Sequence, residues 1–340
     1  MSRTETVFIV GAGASAEFGL PVGSELIKQI VAGLSYEIEF DKVISKNYRL
    51  FDAIKSSSNN CGFLDYKKYN SFLSSVKHMV SALPESISID NFIYQQENIY
   101  TTELGKMAIV QSILDSEGRS SLAYKRGLDG GLKIDFSKSR ESWLAAICKL
   151  LSQDTTISNI DCFFDGVKII CFNYDRCIEH YFYNWIKNNY NIHDDVVVRV
   201  MKKLQIIHVY GSVGGMEWQE NDNFPAPFGA ELSGGHIHDR VNIIYTFTEI
   251  FDTKKLKNSI DMYISESERI VFLGFGFHQQ NMDLLRQHNE CKISSVLYTS
   301  YLMSDPDKMA VEFQIGDIFP VDKKYIDKIK ILIFLVSVGK

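Results

Sequence analysis

A short apolar run that ends in glycines constrains the fold of this chain most. Residues 7–10 read Val-Phe-Ile-Val, and a glycine-rich run follows at once from Gly11 to Ser15. A buried strand that turns through glycines into a helix leaves backbone N–H groups at the helix N-terminus, where the helix dipole favours a phosphate. We expect Gly11 to make the sharp turn, and Gly13 to let backbone rather than a Cβ meet the ligand. The opening therefore predicts a strand–turn–helix unit that holds a dinucleotide.

The segment after this unit argues against hydride transfer. Nicotinamide-dependent oxidoreductases of this kind carry an acidic residue at the end of a second strand, about 20 residues after the glycines. Here residues 24–34 predict a helix, and the following segment 36–40 gives no clear strand that ends in such an acid. A turn that uses glycine only for its geometry stays the structural alternative to a dinucleotide site.

Composition narrows the class of protein. The chain has 340 residues, 45% of them apolar and 23% charged, which is typical of a globular protein with one large domain or two smaller ones. The net charge of −6 predicts no direct binding of nucleic acid. No signal sequence and no run of 18 apolar residues is visible, so we expect a cytoplasmic protein without membrane contact. The six cysteines contain no Cys-x-x-Cys pair, which predicts reduced thiols and no zinc or other metal.

Apolar runs typical of buried strands recur later in the chain, and each ends at small or polar residues. The runs 168–172, 204–207 and 269–273 lead into Asn173-Tyr174-Asp175, His208-Val209-Tyr210-Gly211 and Gly274-Phe275-Gly276. Ligands bind beyond the carboxyl ends of the strands in an open parallel sheet, so these three ends and the first glycine turn should line one crevice. Further strands are predicted at 241–247, 294–298 and 329–338.

The sequence between the first strand and residue 168 has a different character. Helical periodicity appears at 69–83, 89–100, 103–114 and 140–152. The pattern predicts an α/β fold: a Rossmann-like parallel sheet with helices on both faces and a large helical insertion after the first strand–helix unit. We expect residues 1–30 and 160–340 to form the sheet domain, and residues 31–159 to form the insertion, which covers the site.

These motifs, in this order, resemble those of sirtuins. The runs Gly11-Ala12-Gly13-Ala14-Ser15 and Gly19-Leu20-Pro21 are similar to the sirtuin opening Gly-Ala-Gly-Ile-Ser…Gly-Ile-Pro. The later motifs resemble the sirtuin Gln-Asn-Ile-Asp, His-Gly and glycine-rich ribose elements, and they begin in this chain at Phe172, His208 and Gly274. The likeness covers about the first 25 residues and the segment from about 165 to 300.

Two departures point to a particular branch. The four-cysteine zinc module of sirtuin deacylases is absent, and Val22-Gly23-Ser24 stands where they have Asp-Phe-Arg. The zinc-less pattern resembles the sirtuin-like NAD hydrolases of bacterial antiphage defence. The resemblance implies cleavage of NAD+ to nicotinamide and ADP-ribose, which depletes NAD+ during infection. It also implies a homo-oligomer, controlled by assembly or by a partner such as a HerA-type DNA-translocating ATPase.

The expected catalytic residues are Asn173, Asp175 and His208. The Asn173 amide can hold a ribose hydroxyl or a water molecule, and Asp175 can supply negative charge, although helix capping explains an Asn-x-Asp at a strand end as well. His208 is the candidate base. The sirtuin histidine directly precedes its glycine, where this chain has Tyr210, and His208 lies two residues earlier on the same face of the strand.

A wider set of residues is expected to bind NAD+ as substrate, with no separate cofactor: Gly11, Ala12, Gly13, Ser15, Gly19, Pro21, Gly211, Gly274, Gly276 and Asn281. Asn281 has an alternative reading as the cap of a helix over 282–287. Asp90 and Asn91 could reach in from the insertion, but an ordinary helix start explains them equally, so they are not among the expected catalytic residues.

Two other functions stay open. One is a module that senses NAD+ or ADP-ribose without cleaving it. The other is an NAD-dependent protein deacylase, which the missing zinc module disfavours.

Overall fold

The computed structural model describes residues 3–39, 42–45, 47–127, 130–219, 224–251, 254–286, 292–319 and 325–329. Its strands, in chain order, are β1 (Thr6–Val10), β2 (Tyr36–Glu39), β3 (Lys42–Ser45), β4 (Asn59–Asn60), β5 (Phe63–Leu64), β6 (Lys125–Arg126), β7 (Leu132–Lys133), β8 (Val167–Cys171), β9 (Gln205–His208), β10 (Arg269–Leu273), β11 (Ser295–Thr299) and β12 (Ile326–Ile329).

The helices are α1 (Ala12–Ala16), α2 (Gly23–Leu34), α3 (Tyr48–Ser57), α4 (Tyr66–Ala82), α5 (Ile89–Gln96), α6 (Ile99–Arg119), α7 (Trp143–Ser152), α8 (Cys177–Tyr190), α9 (Asp194–Met201), α10 (Gly234–Asp239), α11 (Phe247–Phe251), α12 (Lys254–Ser265), α13 (Gln279–Leu285) and α14 (Asp305–Ile318). Within the described ranges, no helix combines the length and the apolar run needed to cross a bilayer.

Six strands form one parallel sheet in the order β12-β11-β10-β1-β8-β9. The chain starts at β1, winds outward through β8 to β9, and then crosses β1 to continue with β10 on the other side. The winding therefore reverses between β1 and β10. A reversal of this kind opens a crevice at the carboxyl ends of the two strands, which is where ligands bind in such folds.

Helices cover both faces of this sheet, which confirms the predicted α/β class. All five residues of β1 are buried, and they alternate between two apolar cores: Val7 and Ile9 pack with α2, α4 and α6, whereas Phe8 and Val10 pack with α7 and α8. A strand buried on both faces shows a continuous apolar run rather than an alternating one, because each side chain meets one of two helical layers. This explains why the run at 7–10 is so marked.

The insertion belongs to the same packed body as the sheet. Its helices α4 and α6 contribute to one core, and α7 contributes to the other. Glu117 at the end of α6 forms a fully buried ion pair with Arg176, the residue before α8, at 2.5 Å. The Trp143 indole N–H of α7 donates to the carbonyl of Ala14 at 3.0 Å. These contacts join the insertion to the sheet domain on both faces.

Two predicted segments differ in the structure. The strand prediction at 241–247 is wrong: Arg240–Ile243 form a 3-10 turn packed against α6 and α10, Ile244 alone bridges to Gly211, and α11 begins at Phe247. An apolar run buried by helices has the same pattern as one buried in a sheet. The helix predicted at 89–100 is two helices, because Glu97 is left-handed and Asn98 caps α6.

Two further expectations, for segments 36–40 and 329–338, also need correction. Segment 36–39 is a strand, but it pairs antiparallel with β3 in a separate two-stranded sheet, so it supplies no acid to the cavity described below. The last strand of the main sheet is β12, at Ile326–Ile329, earlier than the predicted run 329–338. Residues 330–338 of that prediction lie outside the described residues.

Candidate active site

A cavity of about 530 Å³ lies where the winding of the sheet reverses. Its walls come from the glycine turns after β1 and β10, from Phe172 and Asn173 after β8, and from Tyr210 after β9. The starts of α2 and α13 and the segment around Asp90 on the insertion complete it. The volume falls within the range of about 300–1,000 Å³ that is usual for small-molecule sites.

A second, larger depression of about 1050 Å³ lies at the opposite edge, where the strands begin. Its Lys168 is paired with Glu5 and Glu266, at 3.5 and 3.0 Å. Ligands of open parallel sheets bind beyond the carboxyl ends of the strands, so the smaller cavity is the candidate site.

The two glycine turns pack directly on each other across the cavity floor. A Cβ on Gly11 or Gly13 would lie within 3 Å of the backbone of residue 274, and a Cβ on Gly274, at φ +55°, would lie 1.9 Å from the nitrogen of Ala14. The Gly13 N–H donates to the carbonyl of Gly274 at 2.9 Å. Gly13 therefore also makes room for the other turn, and contact between its backbone and a ligand stays a prediction. Gly11, Ala12, Gly13, Gly274 and Gly276 all line the cavity.

Asn173 has an amide group held in one orientation. Its Nδ2 donates to the carbonyl of Gly11 at 3.1 Å and to the hydroxyl of Ser15 at 2.9 Å. Because a carbonyl can be met only by the NH₂ end of the amide, these contacts fix where the oxygen points. The residue is 5% exposed and lines the cavity, and its Oδ1 meets no hydrogen-bond partner among the described residues. A buried acceptor without a partner costs free energy, so a ligand or water that donates here is favoured.

Ser15 and Asp175 lie behind Asn173 rather than in the cavity wall. Asp175 is buried, and its Oδ1 accepts from the N–H of Cys177 at 3.1 Å, so the carboxylate satisfies the start of α8. Burial raises its pKa, and hydrogen bonds from Cys177 and Ser15 partly offset this. Ser15, Asn173 and Asp175 therefore form one network, in which the Ser15 hydroxyl links the Asp175 carboxylate to the Asn173 amide.

His208 lies outside the cavity lining. Its Nε2 faces Glu179 Oε1 at 2.7 Å and its Nδ1 faces the carbonyl of Asn173 at 3.0 Å. Burial alone would lower its pKa, but the adjacent Glu179 carboxylate outweighs this and holds the pKa well above the ordinary histidine value. With an acceptor at each nitrogen, the ring carries two protons. An imidazolium cannot accept a proton, so this geometry gives His208 a positioning contact to Asn173 in place of the expected basic role.

Tyr210 stands in the cavity wall, at the position where the sirtuin pattern has its histidine. Its hydroxyl donates to Asn281 Oδ1 at 2.6 Å. Asn281 lines the cavity as well, and it lies inside α13, whose N-cap residue is His278, so its reading as a helix cap is wrong. Burial raises the pKa of the Tyr210 phenol, which keeps it a neutral donor at physiological pH.

Besides Ser15, three predicted binding residues lie outside the described lining: Gly19, Pro21 and Gly211. Gly19 has φ +90°, a conformation that glycine adopts without strain. A Cβ on Gly211, at φ +75°, would lie 1.9 Å from the carbonyl oxygen of Ile243. Backbone geometry thus explains these two glycines.

The insertion contributes two residues to the cavity lining that are not among the expected catalytic residues. Asp90 and Asn91, in the first turn of α5, line the cavity, and Asp90 accepts a hydrogen bond from the hydroxyl of Tyr174. His278, which follows the second glycine turn, lines it too. The signal for Asp90 was present, since its polar pair interrupts an apolar run, but the same pattern marks any helix start.

The charges of the lining are few. Among the described residues that line the cavity there is no Lys or Arg, Asp90 is the one carboxylate, and His278 is the one imidazole. Positive potential comes instead from the first turn of α2, which begins in the wall at Gly23. The described part of the chain contains no group of three His, Cys, Asp or Glu side chains arranged to hold a metal ion.

Comparison with known proteins adds no family assignment. The chain matches no protein-family model, and no curated protein is significantly similar to it in sequence.

Proposed function

We propose that this cavity binds NAD+ and hydrolyses its N-glycosidic bond, releasing nicotinamide and ADP-ribose. One observation carries the proposal: the buried, fixed Oδ1 of Asn173 faces no partner among the described residues, at the edge of the sheet where a dinucleotide would lie. An acceptor held in this way suits a ribose hydroxyl or the attacking water. The sirtuin-like order of the surrounding motifs supports the same assignment.

The chemistry makes modest demands on the protein. As the bond between ribose C1′ and the pyridinium nitrogen breaks, positive charge develops on the ribose and nicotinamide departs neutral, so the leaving group needs no acid. The site must fix the ribose, stabilise the developing charge and place one water molecule. The Asn173 amide and the Asp90 carboxylate, both in the cavity wall, are suited to these tasks.

The diphosphate would meet backbone rather than cationic side chains. The start of α2 at Gly23 and the turn at Ala12 face the cavity, and neither needs a lysine or arginine to attract an anion. Phe172 lies between Phe275 and Tyr210 in the cavity lining, with its ring centroid 5.0 and 6.0 Å from theirs. Such a surface suits a planar base.

The cellular role follows from the resemblance. In this proposal the protein is a cytoplasmic antiphage effector that depletes NAD+ when infection is sensed. It would be kept silent until it assembles as a homo-oligomer or meets a partner such as a HerA-type ATPase. Light scattering of the purified protein, with and without the candidate ATPase, tests the assembly directly.

Asn173→Ala provides the central test. Nicotinamide release from NAD+ should fall at least 100-fold, because the variant loses the group that orients ribose or water, and such groups contribute about 10²–10³ in rate. Chromatographic detection of nicotinamide and ADP-ribose measures this. Asn188→Ala is the matched control, since Asn188 lies exposed on α8, the helix that follows the same strand. Equal turnover by Asn173→Ala and wild type would contradict the proposal.

A non-catalytic sensor of NAD+ or ADP-ribose is the second candidate. The contacts of His208 favour this candidate. Both ring nitrogens face acceptors outside the cavity, so the residue expected to act as the base does not reach a bound ligand. Tight calorimetric binding of NAD+, with the ligand recovered intact in the presence of every assembly partner, would decide for the sensor. Nicotinamide release that requires an acylated peptide would indicate a deacylase instead.

A further inference from the structure

Asp90 lines the cavity, whereas Asp175 and Glu179 near the same edge of the sheet do not. Asp175 and Glu179 are buried behind the wall, where they satisfy the start of α8 and the His208 ring. Asp90 is half-buried and lines the cavity itself, on a helix of the insertion. A group that takes a proton from a bound water must reach the cavity, and among the described lining residues Asp90 is the one carboxylate that does.

Tyr174 holds this carboxylate in place. Its hydroxyl donates to Asp90 Oδ1, and its ring lies 6.2 Å from that of Tyr210. Tyr174 follows Asn173 directly in the chain, so the strand end that carries the Asn173 amide also fixes the orientation of the carboxylate. The arrangement couples the sheet domain to the insertion beside the cavity.

We propose that Asp90 is the catalytic base of the hydrolysis, with Tyr174 as its positioning residue. The inference rests on the proposed function. In the step, the C1′–N bond breaks and its electron pair stays on the nicotinamide nitrogen. The water oxygen forms the new C1′–O bond, and Asp90 takes one proton from that water. The products are ADP-ribose and neutral nicotinamide, and the proton passes from Asp90 to solvent.

Several groups face Asp90 and set its proton affinity. Tyr174 and Tyr210 approach from the ends of β8 and β9, and His278 approaches from the start of α13. The Lys106–Glu249 pair of α6 and α11 lies farther off, beside Tyr174. Burial raises the pKa of Asp90, and the hydrogen bond from Tyr174 together with the nearby His278 partly offsets it. A raised pKa brings a carboxylate closer to the range in which a base is effective at neutral pH.

Asp90→Asn is the first test, measured alongside binding. Nicotinamide release should fall by about 10²–10⁴, the usual contribution of a general base. Calorimetric binding of NAD+ should change less than about threefold, because the amide keeps the shape of the side chain. An Asp90→Asn variant that binds NAD+ and retains at least a third of wild-type turnover overturns the role of Asp90 while leaving the proposed function intact. A wild type that binds NAD+ but never releases nicotinamide overturns both.

Tyr174→Phe separates a positioning role from a structural one. The hydroxyl stabilises the charged carboxylate, so its loss raises the pKa of Asp90 and moves the acidic limb of the pH–rate profile to higher pH, by about one unit. Turnover on the plateau should stay within about tenfold of wild type. His278→Gln is the control variant, because His278 is the other group in the cavity wall that could act as the base. The acidic limb of the pH–rate profile should remain in this variant. If that limb disappears with His278→Gln and stays unmoved in Tyr174→Phe, His278 is the base and the proposal is wrong.

Discussion

At the scale of single residues, the His208–Glu179 pair shows how surroundings change the chemistry of a side chain. The imidazole has 13% of its surface exposed and the carboxylate 7%, and the two groups are 2.7 Å apart. Burial penalises both charges, yet each stabilises the other, so the pKa of Glu179 is lowered while that of His208 is raised. The ring therefore serves as a fixed donor to the Asn173 carbonyl.

The pair predicts a particular dependence of stability on pH. Because the folded pKa of His208 lies above 6.5, its contribution is complete below pH 6.5 and is lost as the pH rises through the folded value. The Glu179 contribution is complete above pH 4.5 and is lost as the pH falls through its lowered value. We expect the free energy of unfolding to fall above pH 6.5, by at most about 1.4 kcal/mol per pH unit.

Variants of both residues test this. His208→Gln alone leaves Glu179 charged and buried without its partner, which costs about 3–5 kcal/mol, whereas the double variant Glu179→Gln, His208→Gln should cost clearly less and lose the decline above pH 6.5. Urea unfolding at several pH values measures the free energy of unfolding of both variants. The double variant should also keep nicotinamide release within about tenfold, since a lost general base would cost about 10²–10⁴. A decline that persists in the double variant would assign it to another group.

At the scale of elements, the contact between the turns after β1 and β10 defines the cavity floor. The Gly11 N–H donates to the carbonyl of Leu273, and the Gly13 N–H donates to that of Gly274, both at 2.9 Å. These hydrogen bonds extend the pairing of the two strands beyond the sheet itself. The glycines are therefore needed for the mutual approach of two chain segments about 260 residues apart, and the cavity floor is a consequence of that approach.

Gly274→Ala should be among the most destabilising single substitutions in the chain. Its Cβ would lie 1.9 Å from a backbone nitrogen at φ +55°, so the two turns must separate, and we expect a loss of at least about 3 kcal/mol. Gly316→Ala is the matched control, because Gly316 is exposed within α14 with nothing within 4 Å of a new Cβ. That change should stabilise by about 0.5–1 kcal/mol. Thermal unfolding compares the two, and equal melting temperatures would contradict the packing argument.

At the scale of the whole molecule, the charge of the cavity predicts a choice between related ligands. The described lining has no Lys or Arg, and Asp90 adds negative charge to it. A 2′-phosphate on the adenosine ribose adds about −1.5 to −2 charges that such a wall does not neutralise. We expect NADP+ to bind at least about tenfold more weakly than NAD+, a difference of about 1.4 kcal/mol. Calorimetry with both ligands measures this, and equal affinities would contradict the electrostatic argument.

The two parts of the molecule could not be divided by sequence alone. The change from strand-like to helical periodicity after the first unit indicated an insertion, and the helices near 24–34, 69–83, 103–114 and 140–152 lie where predicted. The periodicity carried no information on how deeply these helices enter the sheet domain. The buried Glu117–Arg176 pair and the contacts of Trp143 join both regions into one core.

The sequence by itself determined five strands of the main sheet, β1, β8, β9, β10 and β11, and the strand ends at which the cavity forms. These features depend on local apolar runs and on glycine at defined positions. Asn173 could be found in this way, since its neighbours in the chain mark the end of β8. Only the tertiary structure decided that His208 faces Glu179 and the Asn173 carbonyl while Asp90 enters the cavity. Those outcomes depend on contacts between residues far apart in the chain, such as Tyr174 with Asp90, and no local pattern records which partner a polar side chain will meet.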